Sequence, residues 1–214
     1  MLLENNINLS IIIPIFNEEK YLKPLFSDIK KYFNFNNIEV IAVNDGSDDE
    51  TKIILEEIRK KEKNFSFNII NLDQNYGKGY AVQQGIKNSL GKYILLQDAD
   101  LELDIKDSRE IYDTISNDEN IDCIFGSRYL SGKLKSHNYF INEFIGKFNT
   151  LIFNLLYGQS LSDIHCGLKI FHRNVLNEIT LSINDFGLEI DIASQIIKKI
   201  LIFMKLVFHI SHEQ

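Results

Sequence analysis

Apolar residues in this chain concentrate in short runs, separated by longer stretches of helical period. The runs are LSIIIPIF (9–16), IEVIAVND (38–45), FSFNIINL (65–72) and YILLQ (93–97). The first run, nearly all apolar, predicts a strand buried on both faces, and the runs together predict a mostly parallel sheet covered by helices. Between them the periodicity predicts a helix over about 18–33 and a third near 78–89. The second helix lies in GSDDETKIILEEIRKK, where Ser47 or Asp48 can cap, acids fill the first turn, and Ile53, Ile54, Leu55 and Ile58 form the apolar face. Beyond Gln97 the rhythm loosens. Helices are expected near 106–116, 142–157 and 187–199, and strands at 122–127 and 167–171. The alternation predicts an α/β fold, a mostly parallel central sheet flanked by helices, in a single domain spanning 1–214. No internal repeat, low-complexity tract or Pro- or Ser-rich linker interrupts it.

Composition narrows the partners. The chain has 214 residues, 44% hydrophobic and 25% charged, which suits a packed core rather than disorder. A net charge of −7 argues against nucleic-acid binding, so an anionic ligand needs a local cation or a few placed Arg and Lys residues. Cys123 and Cys166 stand far apart and outside any C-x-x-C pattern; they read as small core residues in a reducing cytoplasm. MLLENNINLS carries Glu4 and no basic region before its apolar residues, so no signal peptide is expected. No apolar run approaches the roughly 18 residues that cross a bilayer.

The chemistry collects where the strands end. Asn17-Glu18-Glu19 follows the first, Asn44-Asp45-Gly46-Ser47 the second and Asp98-Ala99-Asp100 the fourth. Ligands of open parallel sheets bind outside the carboxyl ends of the strands. Each segment alone reads equally well as a cap or turn; their convergence on one edge argues for a site. In an extended segment residues two apart project to the same side, so Asp98 and Asp100 face one point and Glu102 continues the parity. Such close like charges repel unless a cation neutralises them. Hard carboxylate oxygens suit Mg²⁺ or Mn²⁺, with water or a substrate phosphate completing the shell.

GKGYAV (77–82) offers a competing pattern, a dinucleotide fingerprint that opens a helix after a strand. Val82 occupies its third glycine position, and it follows the third strand rather than the first. Its more modest use is a helix amino terminus, with Lys78 and glycine backbone, close to a phosphate. No P-loop motif is present.

In this order, IPIFNEE, VNDGSDDET, NYGKGYA, QDADLE, FGSRYLSG, SDIHCGLKIF and FGLEIDIASQIIKK resemble the successive motifs of inverting glycosyltransferases of family 2, with the GT-A (Rossmann-like) fold. The group most resembled is the dolichyl- and polyprenyl-phosphate sugar synthases. The resemblance implies a nucleotide-sugar-binding half over about 9–104 and an acceptor-binding half over about 105–200. It implies that Pro14, Phe16 and Glu18 line the nucleotide pocket, with Val43 and Asp45 near base and ribose. Asp98 and Asp100, with Ala99 between them, would bind the donor diphosphate through the metal, and Glu102 sits where the family often has a third ligand. Arg128 and Lys169 would contact phosphates of donor or acceptor. Asp163 lies in a segment like the acceptor-side motif, and Glu189 in one like an acidic helix of the family.

The expected reaction is transfer of a sugar from a nucleoside-diphosphate donor with inversion, the departing charge stabilised by the metal with Lys78 or Arg128. A hydroxyl acceptor needs a base, for which Asp163 is the candidate. A polyprenyl phosphate is already ionised and needs only cations such as Lys169 and Arg173. Two alternatives stay open: a soluble or glycan hydroxyl acceptor, and a nucleotide-sugar-binding module without catalysis. Among the residues themselves, Arg128 reads also as a structural salt bridge, His165 as a satisfied core histidine, and Glu189 as a partner of Arg128 or an orienter of helices. ILIFMKLVFHI (200–210) is expected as a last strand or an interfacial segment, in a tail that departs from the family and looks truncated. Localisation is expected to be cytoplasmic, peripheral at the inner face of the membrane.

Overall fold

The computed structural model describes residues 7–33, 37–63, 65–129, 140–185, 187–200 and 207–208. Strand β1 (Leu9–Ile15) leads to α1 (Glu19–Tyr32), β2 (Ile38–Asn44) to α2 (Thr51–Lys61), β3 (Ser66–Asn71) to α3 (Lys78–Lys87), and β4 (Tyr93–Leu96) to α4 (Ile105–Asn117). Then come β5 (Cys123–Phe125), α5 (Phe140–Tyr157), β6 (Lys169–His172), α6 (Arg173–Glu178), α7 (Leu188–Ile200) and β7 (Val207–Phe208).

One sheet holds all seven strands in the order β3-β2-β1-β4-β6-β5-β7. β1 pairs in parallel with β2 and β4, β2 with β3, and β5 with β7. β6 runs antiparallel to both its neighbours. The sheet is therefore mostly parallel, as the apolar runs predict, with one reversed strand that they do not reveal.

The runs are apolar throughout because both faces are covered. Leu9, Ile11, Ile13 and Ile15 of β1 join a core with Leu22, Leu25 and Ile29 of α1 and Ile111 and Ile115 of α4. Ile12, of opposite parity, joins Val82 of α3 and Ile192 and Ile196 of α7. Gly85 lets α3 settle on the sheet, since a Cβ there would overlap Ile12 and press on Val43. β3, at the edge, is the exception, with burial that alternates along its length.

Three local expectations for α2 need correction: its first turn carries no acid, Ile53 is exposed, and its cap differs. The cap of α2 is neither Ser47 nor Asp48: the helix begins at Thr51, and Asp49 Oδ1 accepts the Thr51 N–H at 2.9 Å. The short α6 had no counterpart in the periodicity. The apolar 200–210 segment contributes β7, paired with β5, as a last strand should; its other residues beyond Ile200 lie outside the described set. Asp104 caps α4, accepting the Lys106 N–H at 2.9 Å.

Candidate active site

The order of the sheet reverses at β1, which has β2 on one side and β4 on the other. A crevice opens at such a reversal, outside the carboxyl ends of the strands. β1 runs into Phe16, Asn17 and Glu18, and β4 into Asp98, Ala99 and Asp100. Asn17 (φ 56°) and Leu101 (φ 57°) both take the left-handed conformation, uncommon for non-glycine residues, so both exits are sharp.

Much of the polar sequence here ties loops together. Asn17 N–H donates to Ser47 Oγ at 3.0 Å, and Asp48 N–H to Asn17 Oδ1 at 3.0 Å. Glu18 N–H donates to Thr51 Oγ1 and Glu19 N–H to Asp49 Oδ2, both at 3.2 Å. Asp45 is buried, and its carboxylate accepts the Tyr76 and Gly77 N–H groups at 2.8 and 2.9 Å. It therefore fixes the β3–α3 loop. Val43 is sealed under α3 beside Ala81, and Ala99 is buried in the core. Pro14 is half-buried, Phe16 exposed.

What remains turned toward the crevice is acidic. Asp98 Oδ1 receives Lys78 Nζ at 2.7 Å, and the same ammonium reaches Glu189 Oε1 at 2.7 Å. Burial pulls the Lys78 pKa down, but Asp98 and Glu189 outweigh it and hold the group firmly protonated. The other oxygen of Asp98 lies against Gly167, where a Cβ would overlap it. Asp100 Oδ1 accepts the Glu102 N–H at 2.9 Å. Burial first, then the charges of Asp98 and Glu102, keeps Asp100 above the ordinary carboxylate range. Glu18 is raised too, by burial and then by Asp100, Asp49 and Asp98. The amino terminus of α3 is not an open phosphate seat: Tyr80 N–H donates to Asn184 O at 3.2 Å. The Ile183 and Asn184 carbonyls also crowd Gly79 and Gly77.

The reversed direction of β6 brings a second group to this edge. β5 ends into Gly126-Ser127-Arg128, while residues 163–168 lead into β6 at the same end. Arg128 binds Asp163 with two bonds, Nε to Oδ2 at 2.8 Å and an Nη to Oδ1 at 3.0 Å. Asp163 also accepts the Arg128 and His165 backbone N–H groups, and its side chain is fully enclosed. The Asp163 hydrogen bonds lead the causes that raise the Arg128 pKa. Arg128 also faces Glu102 at 4.0 Å, so Glu102 leans toward a cation. Half-buried His165 contacts Asn149 at 3.4 Å, and burial lowers its pKa.

Two expected phosphate ligands are displaced. Lys169 is fully buried, donates to the Cys166 carbonyl and lies 5.6 Å from the Phe125 ring; burial lowers its pKa. Arg173 lies at the opposite edge of the sheet, where it binds the Gly91 carbonyl at 2.7 Å and Ser89 Oγ at 3.0 Å. Sequence reasoning missed Gly167 as the neighbour of Asp98 and Glu189 as the partner of Lys78. The GLKIF motif held the first signal, a glycine just before a strand.

The family model for glycosyl transferase family 2 matches residues 10–180. The chain belongs to glycosyl transferase family 2. Among relatives within and around that family, it is 30% identical over 201 residues to a dolichyl-phosphate beta-glucosyltransferase of Dictyostelium discoideum, covering 88% of this chain and 62% of the relative. It is 28% identical over 178 residues to a dodecaprenyl-phosphate galacturonate synthase of Rhizobium johnstonii, covering 82% of this chain and 51% of that one. The chain thus spans between half and two thirds of the length of these relatives. A glucosyl-3-phosphoglycerate synthase from Mycobacterium tuberculosis, solved with Mn²⁺ and uridine diphosphate, superposes on 97% of this chain and 73% of its own at a TM-score of 0.73 and 15% identity. The fold is therefore GT-A.

In this family 2 chain the donor set at the end of β4 fits a divalent ion. It is made of hard oxygens, and Asp100 sits above the ordinary range by burial first and then by the charges of Asp98 and Glu102. Among the described residues no three Asp, Glu, His or Cys side chains converge on one point. Asp98 and Asp100 would supply two ligands, leaving the others to water and diphosphate, with Glu102 drawn off toward Arg128.

Proposed function

We propose that the protein transfers a sugar from a nucleoside-diphosphate donor to a polyprenyl phosphate at a membrane surface, with inversion. The observation that carries this reading is one sheet edge that joins the acidic crevice of Glu18, Asp98 and Asp100 to the Arg128–Asp163 pair. A Mg²⁺ or Mn²⁺ ion between Asp98 and Asp100 would supply electrostatic stabilisation of the departing diphosphate. Pro14, Phe16 and Glu18 border the donor side, and Lys78 adds a positive charge beside Asp98.

The acceptor side favours an anion. Asp163 is enclosed and spends both oxygens on Arg128 and on backbone N–H groups, which suits a positioning role and not that of a base. A phosphate needs no base, being largely ionised at neutral pH with a second pKa of about 6. Arg128, held in one orientation by Asp163 with 35% of its side chain exposed, can orient it.

Helix α5 supports a lipid surface as the neighbour of this site. Its inner face carries the acceptor side: Asn149 meets His165, and Thr150 Oγ1 accepts the Ile164 N–H at 3.4 Å. Its outer face exposes Phe144, Ile145, Phe148, Leu151, Ile152, Leu155 and Leu156. From Phe148 to Tyr157 the helix has no charged residue. An apolar ridge of this extent marks an interaction surface. Its continuity with the acceptor side, and the lipid phosphates in the names of the relatives, favour a leaflet as its cover. Among the described residues no helix is long and apolar enough to cross a membrane.

The test is a panel of nucleotide sugars read by thermal shift with Mn²⁺, followed by transfer assays on polyprenyl phosphate and on soluble sugars. Metal-dependent stabilisation by one donor and product on the lipid phosphate are expected. Product on a sugar hydroxyl alone would replace the acceptor, and donor binding with transfer to neither would leave a binding module.

A further inference from the structure

Lys78 stands between two acids of different elements, 2.7 Å from Asp98 at the end of β4 and 2.7 Å from Glu189 in the first turn of α7. Asp98 is also one of the two carboxylates placed for a divalent ion. An ammonium and a divalent cation that share one carboxylate oxygen repel each other strongly in a partly desolvated site.

We propose that Lys78 is a built-in counter-cation that holds Asp98 in the ion-free protein, and that Glu189 is the seat it keeps when it gives Asp98 up. This inference rests on the donor reading above. Three features support the exchange. The Lys78 side chain is only 19% exposed, so it trades partners in place rather than swinging out to water. Glu189 is nearly enclosed and lies at the positive end of α7, which favours its charge. Asp98 is backed by Gly167, so the carboxylate is fixed and the ammonium is the part that moves.

The consequence is coupling between ion and nucleotide. In the free protein an incoming ion must displace Lys78 from Asp98. A diphosphate brings negative charge to the same place and offers the displaced ammonium a partner. Ion and nucleotide then strengthen each other by one common factor. Glu189 acts through Lys78 and is a positioning residue.

Calorimetric titration of Mn²⁺ into the full chain, with and without saturating uridine diphosphate, reads this factor. In the wild type, nucleotide should tighten Mn²⁺ by about tenfold or more, within the usual range of such couplings. Lys78→Met should bind Mn²⁺ about tenfold tighter without nucleotide and lose most of the enhancement, as expected from removing a competing charge. Glu189→Gln leaves Asp98 as the one acid on Lys78, and should bind Mn²⁺ several-fold weaker without nucleotide. A merely structural role for these residues would not move the two affinities in opposite directions. Mn²⁺ affinities within twofold of wild type in both variants, or shifts of the same sign, would overturn the inference. Glu189→Gln is nearly isosteric and decides the matter by itself if Lys78→Met does not fold. A wild type that binds both probes while the variants keep its coupling defeats this inference alone; one that binds neither defeats the donor reading as well.

Discussion

Asp98 owes its position to a residue with no side chain. Gly167 lets one carboxylate oxygen rest where a Cβ would be, while Lys78 holds the other. Gly167→Ala should therefore push Asp98 aside and weaken Mn²⁺ binding about tenfold or more, while the far-ultraviolet circular dichroism stays unchanged. Unaltered Mn²⁺ affinity would show that Asp98 relaxes freely. Asp98→Ala and Asp100→Ala should each abolish transfer and leave the fold intact, and full activity in either would remove the metal assignment. At this scale the sequence was legible where spacing encodes geometry. The convergence of the ends of β1, β2 and β4 on one edge follows from the rules of parallel sheets. A motif, though, names residue types and not their direction. Val43 turns under α3, Asp45 spends itself on two backbone N–H groups, and Lys169 points into the protein.

Elements tell a similar story. The four strands and the helices between them read directly, β1, β2 and β4 because a strand covered on both faces is apolar almost throughout, although β3 at the edge is half-exposed. The antiparallel β6 could not be read so, since four residues look alike in either direction, yet its reversal brings 163–168 beside Asp98. Nor did periodicity reveal that α5 turns an apolar face outward, since the same pattern describes a buried helix. If that face meets lipid, Leu155→Glu with Leu156→Glu should reduce recovery with floated anionic liposomes several-fold. Both side chains are about three-quarters exposed, so the melting temperature should hold or rise. Equal flotation of variant and wild type would reject α5 as the contact.

At the scale of the molecule, the two edges of the sheet differ in how their polar groups are matched. At the edge away from the crevice, polar groups are matched: Ser10 Oγ donates to Glu39 at 2.6 Å, Leu90 N–H to the same oxygen at 2.6 Å, and Arg173 closes on Gly91 and Ser89. Arg173→Ala should cost about 1–3 kcal/mol in denaturant unfolding, the range for hydrogen bonds from a charged group, and leave Mn²⁺ affinity alone. At the crevice edge the acids outnumber Lys78, and the sign of their effect can be worked out. An acid whose pKa rises on folding favours the fold while protonated, and that advantage disappears as pH climbs through the raised value. Asp100 and Glu18 both shift upward, so the ion-free protein should lose stability from about pH 4, the ordinary carboxylate value, toward neutrality. Asp100→Asn removes one of the two contributions. It should melt a few degrees above the wild type at pH 7 without divalent ions, with the gap closing near pH 4. Added Mn²⁺ should reverse the order at pH 7 by stabilising only the wild type. Equal melting temperatures at pH 7, with and without Mn²⁺, would mean that this edge carries no strain for a cation to relieve.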